Sequence, residues 1–187
     1  MARKESITKQ MLLDTAFQMT REEGMENVTT RRLADHAKCS TQPIFRIYRG
    51  MEELYDDVYE MAITFFSDFY RSYQSRDETP FINLGMAYIQ FAKIEPKLFQ
   101  LLFLGPKRNN RGLYELINGN DGALLKEIQK AQKDRVGHPE NLFMKMWIFI
   151  HGAACMVITG DYDLTDEQTL DLLQDSYQAY KALDFEE

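Results

Sequence analysis

One stretch, Val28 to Leu54, reading VTTRRLADHAKCSTQPIFRIYRGMEEL, limits what this chain can fold into more than any other. Its apolar residues fall three and four apart in two short groups, Leu33, Ala34 and Ala37, then Ile44, Ile47 and Tyr48. That is the spacing of one buried helix face, met twice. Thr29 or Thr30 can cap the first helix by accepting a bond from a free backbone N–H. Ser40 or Thr41 offers a second cap, and Pro43 is tolerated in the first turn because its missing N–H would have had no partner there. Two short helices on a tight turn, followed by a longer one, make a helix-turn-helix. Arg31, Arg32, Asp35 and His36 point outward from the first helix, and Gln42, Phe45, Arg46 and Arg49 from the second. An amide, an aromatic edge and guanidinium groups on a short helix suit the major groove, where the second helix meets base edges and the first crosses the backbone. A solvated helical hairpin would carry the same residues, so spacing alone leaves both readings open.

The run from Met11 to Leu54 resembles the N-terminal domain of the tetracycline-repressor (TetR) family. The residues that carry the likeness are Met11-Leu12, Thr15-Ala16, Gly24, Thr29-Thr30-Arg31, Leu33-Ala34, Ala37-Lys38-Cys39-Ser40, Ile44-Phe45, Tyr48 and Glu53-Leu54, each at the spacing of the family pattern. The match spans about the first quarter of the chain. Three positions depart from it: Lys38 stands for the usual turn glycine, Thr20 for an aromatic, and Met51 for a common phosphate-contacting Lys. A side chain in a left-handed turn costs about 1 kcal/mol, so Lys38 implies strain or a different turn. The resemblance implies that Thr30 and Arg31 contact phosphate, with Tyr48 doing so from the end of the third helix. It implies that Ser40, Thr41, Gln42, Pro43, Phe45 and Arg46 face the groove, Gln42 and Arg46 being best suited to hydrogen-bond base edges.

Charge is distributed unevenly. The whole chain of 187 residues carries a net charge of −7, yet residues 1–50 hold nine Lys/Arg against six Asp/Glu, net +3, leaving 13 against 23, net −10, for the rest. A basic head on an acidic body meets phosphate with one end and is repelled from it by the other. Cys39 and Cys155 are too far apart in sequence to form a disulfide framework or a metal site. No apolar run is expected to reach a membrane span, and MARKESITKQ lacks the apolar core of a signal peptide, so a cytoplasmic location is expected.

Taken in order, the chain reads as all-α with about nine helices: a three-helix DNA-binding domain over residues 1–50 and a helical regulatory and dimerisation domain over 51–187. The first helix is expected from Ser6 to Glu23, with Ile7, Met11, Ala16 and Phe17 or Met19 inward and Gly24 as its stop. Arg3 and Lys4 form a basic arm or a solvated tail. The fourth helix is expected from Gly50 to Ser75, with Leu54, Val58, Met61, Ile63, Phe65, Phe66, Phe69, Tyr70 and Tyr73 inward; the family resemblance makes it the lever that carries a ligand signal. A helix from Thr79 breaks at Glu95-Pro96. Short helices follow over Lys97–Leu104 and Leu113–Asn118, with a loop from Gly105 to Gly112 and a mixed helix over Ala123–Arg135. An apolar helix over Pro139–Thr159 and a last helix over Thr165–Leu183, opened by Thr165 and Gln168 as a capping box, complete the chain.

The body resembles a C-terminal class of the same family, through Trp147 with His151-Gly152 and, ahead of them, Phe91-Ala92 and Glu95-Pro96. The family implies a homodimer through the last two helices and a pocket for a small apolar or aromatic ligand. Candidates for its lining are Phe69, Tyr73, Met86, Tyr88, Phe91, Phe99, Phe103, Met144, Trp147 and His151, residues that also suit an ordinary core. His151 and Cys155 lie four apart, but no nucleophile motif, phosphate-binding glycine loop or metal-ligand cluster accompanies them, so neither an enzyme nor a cofactor is expected. The reading is a ligand-responsive transcriptional regulator, a repressor, binding a pseudo-palindromic double-stranded operator. The alternative is a helical adaptor of the same fold that binds a protein in place of DNA.

Overall fold

A computed structural model describes residues 7–106 and 139–183. The expected basic arm at Arg3 and Lys4, most of the loop to Gly112, and the helices expected over Leu113–Asn118 and Ala123–Arg135 lie outside the described residues. Those residues form eight α-helices: α1 (Lys9–Glu23), α2 (Thr30–His36), α3 (Gln42–Ile47), α4 (Met51–Ser72), α5 (Pro80–Ile94), α6 (Pro96–Phe99), α7 (Pro139–Thr159) and α8 (Asp166–Leu183). A 3₁₀ turn, Met25–Asn27, follows α1, and a π-helical turn, Gln100–Leu104, follows α6. The fold is all-α, with no strand among the described residues. It divides into two compact units: Met1–Phe65 with Glu95–Arg111, and Phe66–Ile94 with Gly112–Glu187.

In the first unit, α1 begins later than its apolar pattern predicted because Thr8 caps it, its hydroxyl accepting from the Met11 N–H at 3.2 Å. Leu12, Ala16, Phe17, Met19 and Thr20 are buried and Met11 is exposed, which corrects the expected inward face. Thr20 survives at a position that usually holds an aromatic because its hydroxyl donates to the Ala16 carbonyl at 2.8 Å. The helix ends at Gly24, whose φ of 96° is open to glycine but strained for other residues. Further along, Glu95 starts α6 as its N-cap and Pro96 takes the first helical position, so the helix break read at that pair is a chain turn.

Glu95 is the charge to explain in this unit. Its side chain is only 5% exposed, and it meets Arg21 of α1 through two bonds, Nε to Oε2 at 2.7 Å and Nη2 to Oε1. This fork holds the 95–106 segment to α1, where Leu98 and Phe99 are also buried and Phe17 packs on Phe65 at 5.7 Å. The Arg21 guanidinium, held further toward its charged form by the bond to Glu95, lies 5.1 Å from the Phe65 ring centre.

In the second unit, α5 is buried along Phe81–Ile89 and packs on α7 and α8. Gly85 marks the closest approach. A Cβ there would come 2.9 Å from Ile150 Cδ1 and 3.2 Å from Leu173 Cδ1, so any larger residue would make these two side chains shift. The capping box of α8 forms as read, Thr165 N–H donating to Gln168 Oε1 at 2.9 Å and Gln168 N–H to Thr165 Oγ1 at 3.2 Å. Asn83 closes the loop before α5, its Oδ1 accepting from the N–H groups of Arg76 (2.8 Å) and Asp77 (3.1 Å). The segment Glu140–Thr159 of α7 is long and apolar enough to cross a bilayer by length and composition, which corrects the expectation that no segment qualifies. Leu142, Phe143, Met146, Trp147, Ile150 and Ala154 on one side of it are nonetheless buried within the unit, as in a core helix.

Removing one side of the Arg21–Glu95 fork strands a buried carboxylate. Arg21→Met should cost about 2 kcal/mol in urea unfolding, below the roughly 3–5 of a fully buried pair because Arg21 is 38% exposed. Adding Glu95→Gln should recover part of that loss; a double variant no more stable than Arg21→Met would contradict the pairing.

Candidate nucleic-acid interface

The reading head is built from short pieces, so each needs a local reason to hold its shape. Thr29 caps α2, its hydroxyl accepting from the Arg32 N–H at 3.4 Å. At the other end, the Cys39 N–H donates to the Ala34 carbonyl (2.9 Å) and the Lys38 N–H to that of Asp35 (3.2 Å), the paired bonds of a Schellman ending. They demand a left-handed residue, and Lys38 takes it with φ 52°, the one positive φ outside glycine among the described residues. The turn expected of the usual glycine is therefore kept, at the strain the sequence implied. Only six residues long, α3 follows, with Thr41 as N-cap and Pro43 in its first turn. The Thr41 side chain makes no capping bond, and the carbonyl alone accepts, from the Phe45 N–H at 3.3 Å.

Ile44 and Tyr48 are buried on the inner side of this helix. On the outer side Ser40, Thr41, Gln42, Phe45, Arg46 and Arg49 are exposed, Phe45 to 59%, and Pro43 is partly exposed. Arg31 is exposed and Thr30 partly so at the start of α2. Arg32 is tied down, paired with Glu23 and donating to the Asn27 carbonyl at 3.3 Å. Thr30, Arg31, Ser40, Thr41, Gln42, Pro43, Phe45 and Arg46 are thus all accessible on α2, the turn and α3.

Tyr48, which the resemblance placed in the phosphate set, is not among these accessible residues. It is 1% exposed, and its hydroxyl is buried close to the Asp57 carboxylate. Burial and the nearby Asp57 carboxylate push its pKa upward. Lys9 Nζ sits 5.2 Å from its ring centre and 2.7 Å from Asp57. The apolar spacing that put Tyr48 on the inner face therefore describes it better than the family pattern does. Sequence reasoning also missed Tyr55, whose hydroxyl donates to the Val28 carbonyl at 2.6 Å and fixes α4 against the start of α2. A lone Tyr on a helix gives no signal of a bond 27 residues back.

The residues expected to line a ligand pocket separate into groups. Phe99 is buried and Phe103 half-buried in the first unit, where their ring centres lie 5.1 Å apart. Met144 is 52% exposed on α7, while Phe143 and Trp147 are buried. In the second unit Met86, Tyr88, Phe91 and Trp147 are buried, and Phe69, Tyr73 and His151 half-buried. Their rings are in mutual contact: Tyr88–Trp147 at 4.8 Å, Phe69–Phe91 at 5.3 Å and Trp147–His151 at 6.1 Å. Tyr88 Oη is 3.0 Å from His151 Nδ1. Burial lowers the His151 pKa and raises that of Tyr88, so the bond joins a neutral phenol to a neutral imidazole, and the tautomer sets which of them donates. Burial also pushes the Cys155 thiol up, which leaves it protonated beside His151 in sequence.

The short exposed α3, carried on a Schellman turn behind α2, defines a helix-turn-helix DNA-binding head. Residues 12–58 match the family model for bacterial regulatory proteins of the tetR family. No curated protein matches the chain. Among solved structures, it is similar to a Shewanella sp. PV-4 protein whose proposed assignment is tetR family transcription regulator, with TM-score 0.59, 19% identity and 95% of each chain covered. It is also similar to a TetR-like transcriptional regulator from Rhodococcus sp. RHA1, with TM-score 0.57, 14% identity, and 96% of this chain and 98% of that one covered. The fold of such regulators therefore runs through nearly the whole chain.

Two outcomes follow. Tyr48→Phe should leave DNA affinity unchanged, since the hydroxyl it deletes is buried beside Asp57 and not open to phosphate; a loss of affinity would return Tyr48 to the contact set. His151 has a folded pKa below its ordinary 6.5, so the unfolded chain takes its proton first as pH falls. The stability it contributes is present above that value and is lost as pH drops through the folded pKa. Replacing it by Gln, which cannot titrate, should flatten that part of the pH dependence in thermal melts, and an identical profile would contradict the assignment.

Proposed function

We propose that this protein is a transcriptional repressor that binds a pseudo-palindromic operator on double-stranded DNA as a homodimer and is released by a small apolar or aromatic inducer. The observation that carries the reading is the exposed row Gln42, Phe45 and Arg46 on α3, with Arg31 and Thr30 beside it on α2. In this assignment residues 1–50 read DNA and residues 51–187 regulate and dimerise, the whole acting in the cytoplasm where its target lies. Thr30 and Arg31 meet phosphate, and Ser40, Thr41, Gln42, Pro43, Phe45 and Arg46 face the groove.

Dimerisation is supported by apolar side chains left open on the last two helices. Met144, Ile148 and Met156 recur every four or eight residues along α7, with Gly152 in open space between them, and Leu172 and Leu183 are exposed on α8. Such a stripe is a poor surface for a lone protein and a good one for its own twofold copy. Two heads roughly 34 to 36 Å apart then read successive major grooves on one side of the duplex. The inducer is placed among Phe69, Tyr73, Met86, Tyr88, Phe91, Trp147 and His151, where the Tyr88–His151 bond supplies a polar handle in an apolar surround. It works only if it binds one head geometry more tightly than the other, with a coupling of about 1 to 3 kcal/mol in typical systems.

The test separates base contacts from phosphate contacts on a selected operator. Arg46→Ala should weaken the operator by about 1 to 3 kcal/mol more than random duplex. Arg31→Ala should weaken both alike and flatten the salt dependence. Equal losses on both duplexes for Arg46→Ala, or an unchanged salt slope for Arg31→Ala, would remove that residue from its role.

A further inference from the structure

A cavity lies within the first unit, and none of the aromatic cluster just described lines it. It measures about 440 Å³, within the range of small-molecule sites. One wall is the turn after α1 with Met25, another is the Tyr55 ring of α4, and the third is the segment Lys97, Leu101, Leu104 and Pro106. Apolar groups make up most of this surface. Leu104 at its edge is 45% exposed, a large apolar side chain with nothing yet covering it.

Three independent features mark it as more than a surface dent. Residues Gln100–Leu104 of its third wall form a π-helical turn, closed by the Gly105 N–H donating to the Gln100 carbonyl at 2.8 Å. Such turns widen the helix at the expense of regular bonding and recur at functional sites. Lys97 lines the same cavity and, among the described residues, has no ion-pair partner. The Tyr55 wall is fixed from behind by its bond to the Val28 carbonyl, just ahead of the Thr29 cap of α2. The cavity is therefore walled by the parts that set where the helix-turn-helix begins.

We propose that this cavity is a binding site for an amphipathic carboxylate, its apolar body against Met25, Tyr55, Leu101 and Leu104 and its anionic head on Lys97. The Glu26 carboxylate fixes the orientation. It folds back over Gly24, within 2.4–2.5 Å of where a Cβ on that glycine would stand, so an anion is repelled from that part of the lining. A saturated chain or a single aromatic ring fits the apolar walls, and one cation sets the preference for one negative charge. Binding here makes no assumption about DNA.

Octanoate is a suitable probe, with octanol as its neutral counterpart, added to the full chain carrying ¹³C-methyl methionine. The expected result is saturable movement of the Met25 methyl signal with Met86, in the other unit, unmoved. Lys97→Met should weaken octanoate about tenfold, the worth of one charge-assisted contact, and leave octanol within about twofold. Leu104→Trp, a change at an exposed position, should block both by filling the cavity, with the unmoved Met86 signal reporting an intact fold. A Met25 signal that stays still at millimolar octanoate, movement of Met86 alone, or equal octanoate affinity in the wild type and Lys97→Met would each overturn the proposal.

Discussion

A six-residue helix does not hold its shape alone in water, where isolated helices shorter than about 12 residues are marginal. The reading head of this protein depends on the turn that delivers α3, and that turn depends on Lys38. Its left-handed backbone lets two N–H groups reach back to Asp35 and Ala34, so that α2 ends cleanly and the chain reverses in three residues. The strain of about 1 kcal/mol at a non-glycine residue is offset by those two bonds and by the burial of Ile44 and Tyr48 behind the helix. The outward row from Ser40 to Arg46 follows from this geometry: with the inner residues fixed, every third or fourth side chain between them must face away.

The second level of organisation is a buried charge. Glu95 is separated from Arg21 by 74 residues, yet the pair joins α6 and its π-helical turn to α1. A carboxylate that is only 5% exposed tolerates few alternatives: it must find a cation or lose its charge, and the two-pronged guanidinium satisfies both oxygens. The pair therefore specifies where the segment docks more than it adds stability. Among the described residues of the other unit, no buried carboxylate is held in this way. That unit relies on Gly85 to bring α5 against α7 and α8, and on aromatic rings that fill the space between them.

Much of this was legible in the sequence, for identifiable reasons. The apolar spacing at Leu33, Ala34 and Ile44, the Thr29 and Thr165 caps and the break at Glu95-Pro96 are local signals, and each appears where it was read. Tyr48 shows two sequence signals in conflict. Its spacing placed it inside and its motif position placed it on DNA, and burial decided for the first. Met144, read as a lining residue, is exposed, and an aromatic-rich, apolar helix has no polar face from which to infer its orientation. The grouping of residues 95–106 with the head, the Tyr55–Val28 bond and the Gly85 crossing were not legible at all. Each joins residues far apart in sequence, where neither periodicity nor capping carries information.

The most direct measurement of sequence-selective DNA binding is retention of the protein on its own upstream genomic DNA, by gel shift at two salt concentrations with a random duplex as competitor. A dimeric, sequence-selective regulator gives selective retention that weakens as salt rises, with two chains on each bound duplex. Equal competition by random DNA at both salt concentrations would contradict that reading and shift the weight to a fold kept for binding a protein.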